Sequence, residues 1–209
     1  MTLNTMHLVE AFQKAIAVVS LGNISQAEKL LGPLLSEAGD SLFSPSFSPP
    51  DAHTHKSTPA LPDLISNLLL LLFEKSSADT EFDFLARVAE ATSHLIVKSR
   101  RRKELIGALE RKFKTLDWPP SDRMIWALST LTTSFQNTNT KTGIEFLRRL
   151  IMEGREESAI PLLETLMRNS PMGRGFFNLS LLIRDPKLRN RLQNEHFSRL
   201  KAIAHGDPQ

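Results

Sequence analysis

Apolar side chains recur along most of this chain at three- and four-residue steps, the period that gathers them on one side of an α-helix. Residues 7 to 21 place Leu8, Phe12, Ala15, Ile16 and Val19 on one such side, with Glu10 and Lys14 elsewhere. Gly22-Asn23 ends that helix, Ser25 offers a cap, and Ala27, Leu30, Leu31, Leu34 and Leu35 carry a second helix to Gly39. Pro33, after Gly32, falls inside this second helix. A kink or a break is expected there, because an interior proline removes one backbone hydrogen bond and collides with the preceding turn. Helical pattern resumes over Leu64 to Lys75 and again from Phe82 to Leu116. In the latter, Leu85, Val88, Ala89, Thr92, Leu95 and Ile96 make one face, and Leu105, Ile106, Leu109 and Phe113 make another.

Trp118-Pro119-Pro120 stops that segment, and Ser121 or Asp122 caps a helix whose buried face is Ile125, Leu128, Leu131 and Phe135. After a polar loop from Gln136 to Thr140, Thr142 can cap a helix carrying Phe146, Leu147 and Leu150, which Gly154 ends. A further helix follows from Glu156 to Met167. Shorter ones are expected near Phe176 to Ile183 and from Pro186 to Ala204, the last with Asp185 as cap and Pro186 at the first helical position. No period-two alternation of the strand type is present. The expected fold class is all-α, with antiparallel helical hairpins stacked as a short α-solenoid or an irregular bundle of about eight or nine helices.

The stretch SLFSPSFSPPDAHTHKSTPALP, from Ser41 to Pro62, is rich in Ser, Pro and Thr and cannot propagate a helix. It divides the chain into an N-terminal hairpin (residues 1–40), a linker or loop (41–63) and a basic helical region (64–205), with a single domain as the alternative. Phe43 and Phe47 stand out in the linker as aromatics able to dock on a neighbouring helical surface.

One pattern recurs. Gly22, Ala27, Leu31, Leu34 and Gly39 have the same spacing as Gly154, Ala159, Leu163, Leu166 and Pro171. A glycine permits a tight turn, a small alanine lets two helices approach, two leucines face the partner helix, and Gly or Pro ends the second helix. The pattern resembles the tetratricopeptide repeat, and GREESAIPLLETLMRNSP, residues 154 to 171, is the closer match. Ala11, Ala15 and Val18 fall where that family places first-helix contacts, as do Gly143, Leu147 and Leu150. The aromatic residues usual in the family's first helix are missing from both copies, and Pro161 falls early in a second helix. Generic helical hairpins would share the same five positions. The resemblance implies a concave helical surface that holds a peptide or a partner helix, which is recognition without chemistry.

Composition narrows the function classes. Of 209 residues, 41% are apolar and 23% charged, which is globular usage. Without cysteine there is no disulfide framework, thiolate zinc site or thiol nucleophile, and a reducing intracellular compartment, cytoplasmic or nuclear, is expected. The first twenty residues lack the continuous apolar stretch of a secretory signal. Leu64 to Phe73, the most apolar run, falls well short of the roughly 20 residues that cross a bilayer. Charge is uneven: residues 1 to 80 hold 4 Lys/Arg against 8 Asp/Glu, a balance of −4, and residues 81 to 209 hold 22 against 15, a balance of +7. An acidic partner would therefore meet the rear of the chain.

The sharpest local feature is the basic run Lys98, Arg100, Arg101, Arg102 and Lys103, followed by Arg111, Lys112 and Lys114. Three readings stand: a solvated helix face, a contact for a protein partner or import receptor, and a nucleic-acid contact through phosphate neutralisation. Only Phe113 and Trp118 lie near enough to stack bases. Asp51, His53 and His55 contain metal-ligand types, but a Pro/Ser/Thr linker lacks the rigid second layer of contacts a metal site needs, so no metal is assigned. Met172-Gly173-Arg174-Gly175 lacks the strand and the Lys-Ser/Thr of a phosphate-binding loop. With no nucleophile beside a base and no paired carboxylates, the sequence indicates no enzyme, no catalytic residues and no cofactor. The expectation is an adaptor or assembly factor for another protein, self-association included, with nucleic-acid binding as the alternative.

Overall fold

A computed structural model describes residues 5–37, 60–135, 141–169, 181, 183–187, 189–194 and 198. All regular structure among them is helical: α1 (Thr5–Ser20), α2 (Ile24–Glu37), α3 (Leu61–Lys75), α4 (Asp79–Ala91), α5 (Ser93–Ile96), α6 (Arg102–Thr115), α7 (Asp122–Ser134), α8 (Lys141–Met152) and α9 (Glu156–Asn169), with further helical residues at 186–187 and 189–194. The linker aromatics Phe43 and Phe47, the Asp51/His53/His55 group, Gly39, Pro171 and the 172–175 turn lie outside the described residues. No described helix is long and apolar enough to cross a membrane.

The chain forms two compact units, Met1–Leu109 and Glu110–Gln209, so the division falls inside α6. In the first unit α1 packs on α2 and α3, α2 on α4, and α3 on α4 and α5. Helix α3 has three packing partners, and its sequence answers to that: Leu61, Leu64, Ile65, Leu68, Leu69 and Leu72 are all buried, covering more than one side. Around it lie Leu8, Phe12, Ala15 and Val19 of α1 and Phe82, Phe84, Leu85 and Val88 of α4. Burying such side chains is worth about 1.5–3 kcal/mol each, which is why the amphipathic period dictates which face turns inward. In the second unit α9 packs on both α7 and α8. Its core holds Ile125, Leu128, Leu131 and Phe135 of α7, Phe146, Leu147 and Leu150 of α8, and Ala159, Leu162 and Leu163 of α9.

Several local expectations are corrected. Asn23, not Ser25, caps α2: its Oδ1 accepts the Gln26 amide at 3.1 Å, the three-residue reach a cap requires. Of the kink or break expected at Pro33, the break does not occur, since α2 runs through it. Gly32 explains this in part, because a proline ring disfavours helical geometry in the residue before it by colliding with that residue's Cβ, and glycine has none. The segment Phe82 to Leu116 is three helices, not one pattern with two faces. Helix α8 begins at Lys141, one residue before Thr142. Elsewhere the capping signals act as read: Ser121 Oγ accepts the Met124 amide at 3.0 Å, and Asp185 Oδ1 accepts the Lys187 amide at 2.9 Å.

Candidate functional site

The two turns flanked by the matched spacing have one geometry. Gly22 has φ +83° and Gly154 φ +80°, the left-handed region in which an L side chain is strained. At the first turn the Gly22 amide donates to Val19 O (2.8 Å) and the Asn23 amide to Val18 O (3.1 Å). At the second, Gly154 donates to Ile151 O (3.0 Å) and Arg155 to Leu150 O (3.0 Å). Both are Schellman caps. Beyond them Ala27, Leu31, Ala159 and Leu163 are buried, as close helix packing requires, while Leu34 is only half-buried and the side chain of Leu166 lies outside the described residues.

Only part of the basic run lies on a helix. It occupies the turn between α5 and α6 and the start of α6, and α3 holds it in place. Pro62 lies in the first turn of α3, followed by Asp63. The Asp63 Oδ1 atom accepts Ser99 Oγ at 2.9 Å and the Arg100 amide at 3.1 Å. Ser99 Oγ in turn accepts the Arg101 amide at 3.1 Å. The Arg101 guanidinium then forks onto Glu104, with Nε to Oε1 at 3.1 Å and Nη2 to Oε2 at 2.5 Å, and also donates to Asn67 Oδ1. The hydrogen bond to Glu104 raises the Arg101 pKa, and the same bond lowers that of Glu104. Arg101 is thus a structural member of the run. Lys98, Arg100 and Lys103 stay exposed and Arg102 is half-buried. Arg111, Lys112 and Lys114 belong to the second unit, with Arg111 and Lys114 exposed. Just upstream, His94 has its pKa lowered, first by burial and then by the charge of Lys98.

In the second unit an open cleft of about 720 Å³ is lined by Asp122, Gly154 to Ser158, Ile160, Arg184 and Asp185. Asp122 and Arg155 in it are paired, and Glu156 and Asp185 accept backbone amides. Asp122 Oδ1 accepts Ser158 Oγ at 2.6 Å and Arg155 Nη2 at 2.7 Å, and these bonds, that of Ser158 foremost, hold its pKa below the ordinary carboxylate value. Arg155 also donates to Pro120 O, and Glu156 accepts the Arg184 amide at 2.9 and 3.1 Å. The arrangement joins α7, the α8–α9 turn and the 183–187 segment, and among the described residues no group of His, Asp and Glu is arranged to hold a metal.

A third cluster was not legible in the sequence. Trp118 stacks edge-on against Phe146 (5.6 Å between centroids), lies under the Arg149 guanidinium (3.7 Å to the ring centroid), and donates its Nε1 to Glu153 at 2.5 Å. Its trace along the chain is the i,i+4 spacing of the Arg149–Glu153 ion pair (3.5 Å) at the end of α8. Trp126, by contrast, is 41% exposed on α7. The chain matches no protein-family model, no curated protein and no solved structure.

Proposed function

We propose that this chain is a non-enzymatic adaptor or assembly factor that holds another protein, as a peptide or a helix, against a surface of helical hairpins. The observation that carries this reading is the packing order in the first unit, where α1–α2 and α3–α4 lie hairpin on hairpin, α1 against α3 and α2 against α4. Repetition of that order is how helical-repeat proteins build extended recognition surfaces. The two identical Schellman turns and the buried Ala27 and Ala159 support the tetratricopeptide-like reading of the end hairpins.

Large apolar side chains remain at the surface of the α1–α2 hairpin, Leu21 at 87% and Met6 at 63% exposure, and such residues are the usual anchors of a partner helix. In the cleft of the second unit Asp122 is paired with Arg155 and Glu156 holds the Arg184 amide, bonds that tie the fold together and support recognition over catalysis. A cytoplasmic or nuclear site of action accords with the absence of cysteine.

Affinity purification of the full chain, with cross-linking, tests the reading. A stoichiometric protein partner should be captured and then lost on the double substitution Met6→Glu/Leu21→Glu, with the circular-dichroism melt unchanged. Recovery of nothing above an unrelated bait would refute it.

A further inference from the structure

We infer that the α5–α6 turn is a docking point for the sugar–phosphate backbone of nucleic acid, read without regard to sequence. This inference stands apart from the adaptor reading. Residues 97 to 104 hold five cations and one carboxylate, and that carboxylate, Glu104, is committed to Arg101. The remaining charge is displayed on a frame that does not need to be ordered on binding. Ser99 is buried, its hydroxyl and the Arg100 amide are tied to Asp63 of α3, and Arg101 is clamped between Glu104 and Asn67. Exposed on that frame are Lys98, Arg100 and Lys103. The first turn of α6 adds the positive end of its dipole to the same side of the balance.

Two features select a phosphate polymer over a protein. Protein interfaces are organised around a buried apolar centre, whereas nucleic-acid interfaces are polar and strongly positive. Among the described residues of the first unit the exposed large apolar ones, Met6, Leu21 and Leu30, all belong to α1, α2 or the turn joining them, and none lies in the basic turn. Between Val97 and Glu104 there is also no aromatic side chain to stack on a base, so single and double strands should be held alike, by charge. An import receptor that reads a basic run as an extended strand would first have to break the Asp63 and Asn67 bonds.

The test is fluorescence-anisotropy titration of the full chain with a mixed-sequence duplex DNA and a single-stranded RNA at a series of salt concentrations. With about three phosphates neutralised, log K should fall against log salt with a slope near −2.7 for the duplex, an affinity loss of about 40-fold between 50 and 200 mM salt. Lys98→Glu/Arg100→Glu/Lys103→Glu should flatten that slope by about 2.7, to near zero. The milder Lys98→Ala/Lys103→Ala should flatten it by about two and serves if the reversal perturbs folding. Lys14→Glu/Lys29→Glu/Arg148→Glu, an equal change of net charge at exposed sites elsewhere, should leave the slope unchanged. The inference is overturned if neither nucleic acid binds at 50 mM salt, or if the control reversal acts as strongly as the first. It is overturned equally if a polyglutamate peptide of matched charge competes as well as the duplex, which would make the turn a protein-carboxylate site.

Discussion

Replacing Gly22 by alanine isolates one physical term with little interference. At φ +83° the backbone is in the left-handed region, and a Cβ added there would meet nothing within 4 Å, so no packing clash contributes. For an L residue the left-handed conformation costs about 1–2 kcal/mol, from the approach of Cβ to the backbone carbonyl. Alanine also restricts the unfolded chain, which returns about 0.4–1 kcal/mol. The expected net loss is about 1 kcal/mol, or about 4 °C in melting temperature for a unit of this size. Gly154→Ala should lose a similar amount, because φ is +80° and the surrounding space is equally open. Gly22→Asn should lose distinctly less, since asparagine tolerates this region better than other residues with a side chain. Urea unfolding followed by circular dichroism at 222 nm measures all three. A Gly22→Ala chain as stable as the wild type, or an asparagine variant as damaged as the alanine one, would refute the argument that these turns require glycine for φ alone.

Leu31→Ala and Leu163→Ala, each removing a buried side chain from an end hairpin, should cost about 2–5 kcal/mol in the same unfolding experiment. The Asp122 pKa is lower in the folded state than in the unfolded chain, so its stabilising effect is present above about pH 3.9 and is lost as pH falls through the folded value. Asp122→Asn should therefore be less stable than wild type at pH 7, with the gap closing at strongly acidic pH; a gap independent of pH would contradict the assignment. His94 is likewise depressed, so the folded state opposes its protonation: stability should fall as pH drops below about 6.5, and thermal melts of His94→Gln between pH 7 and 5 should show a shallower fall. Asp63→Ala removes the acceptor shared by Ser99 and the Arg100 amide, and hydrogen exchange should accelerate at residues 98–101 while the amides of α3 stay protected.

Local order was legible wherever the signal was local. The helical period placed Leu8, Phe12, Ala15, Ile16 and Val19 inward on α1 and Ile125, Leu128, Leu131 and Phe135 inward on α7, and all are buried except Ile16, which is half-buried. Glycine, serine and aspartate marked turns and caps because their conformational freedom or short acceptors act within three residues, as at Gly22, Gly154, Ser121 and Asp185. The candidate sites were legible only in part. A density of Lys and Arg announces itself in any reading, yet nothing near residue 100 indicates that Asp63 would hold Ser99 and Arg100, or that Asn67 would take Arg101, because 34 and more residues separate the partners.

By itself, then, the sequence determined that the chain is helical, which faces are apolar and where the turns fall, since each of these follows from interactions within a few residues. Tertiary structure alone decided which helices meet. It placed α3 against α1, α4 and α5 and so made its apolar residues core on more than one side. It also divided the Phe82 to Leu116 pattern into three helices, placing Lys98 to Arg101 in a turn held by α3, with Arg101 half-buried against Glu104 and Asn67 and Lys98, Arg100 and Lys103 left to solvent. The physical reason is the same in each case: a hydrogen bond or a buried contact between distant residues has no periodic trace along the chain, and its geometry exists only once both partners are folded.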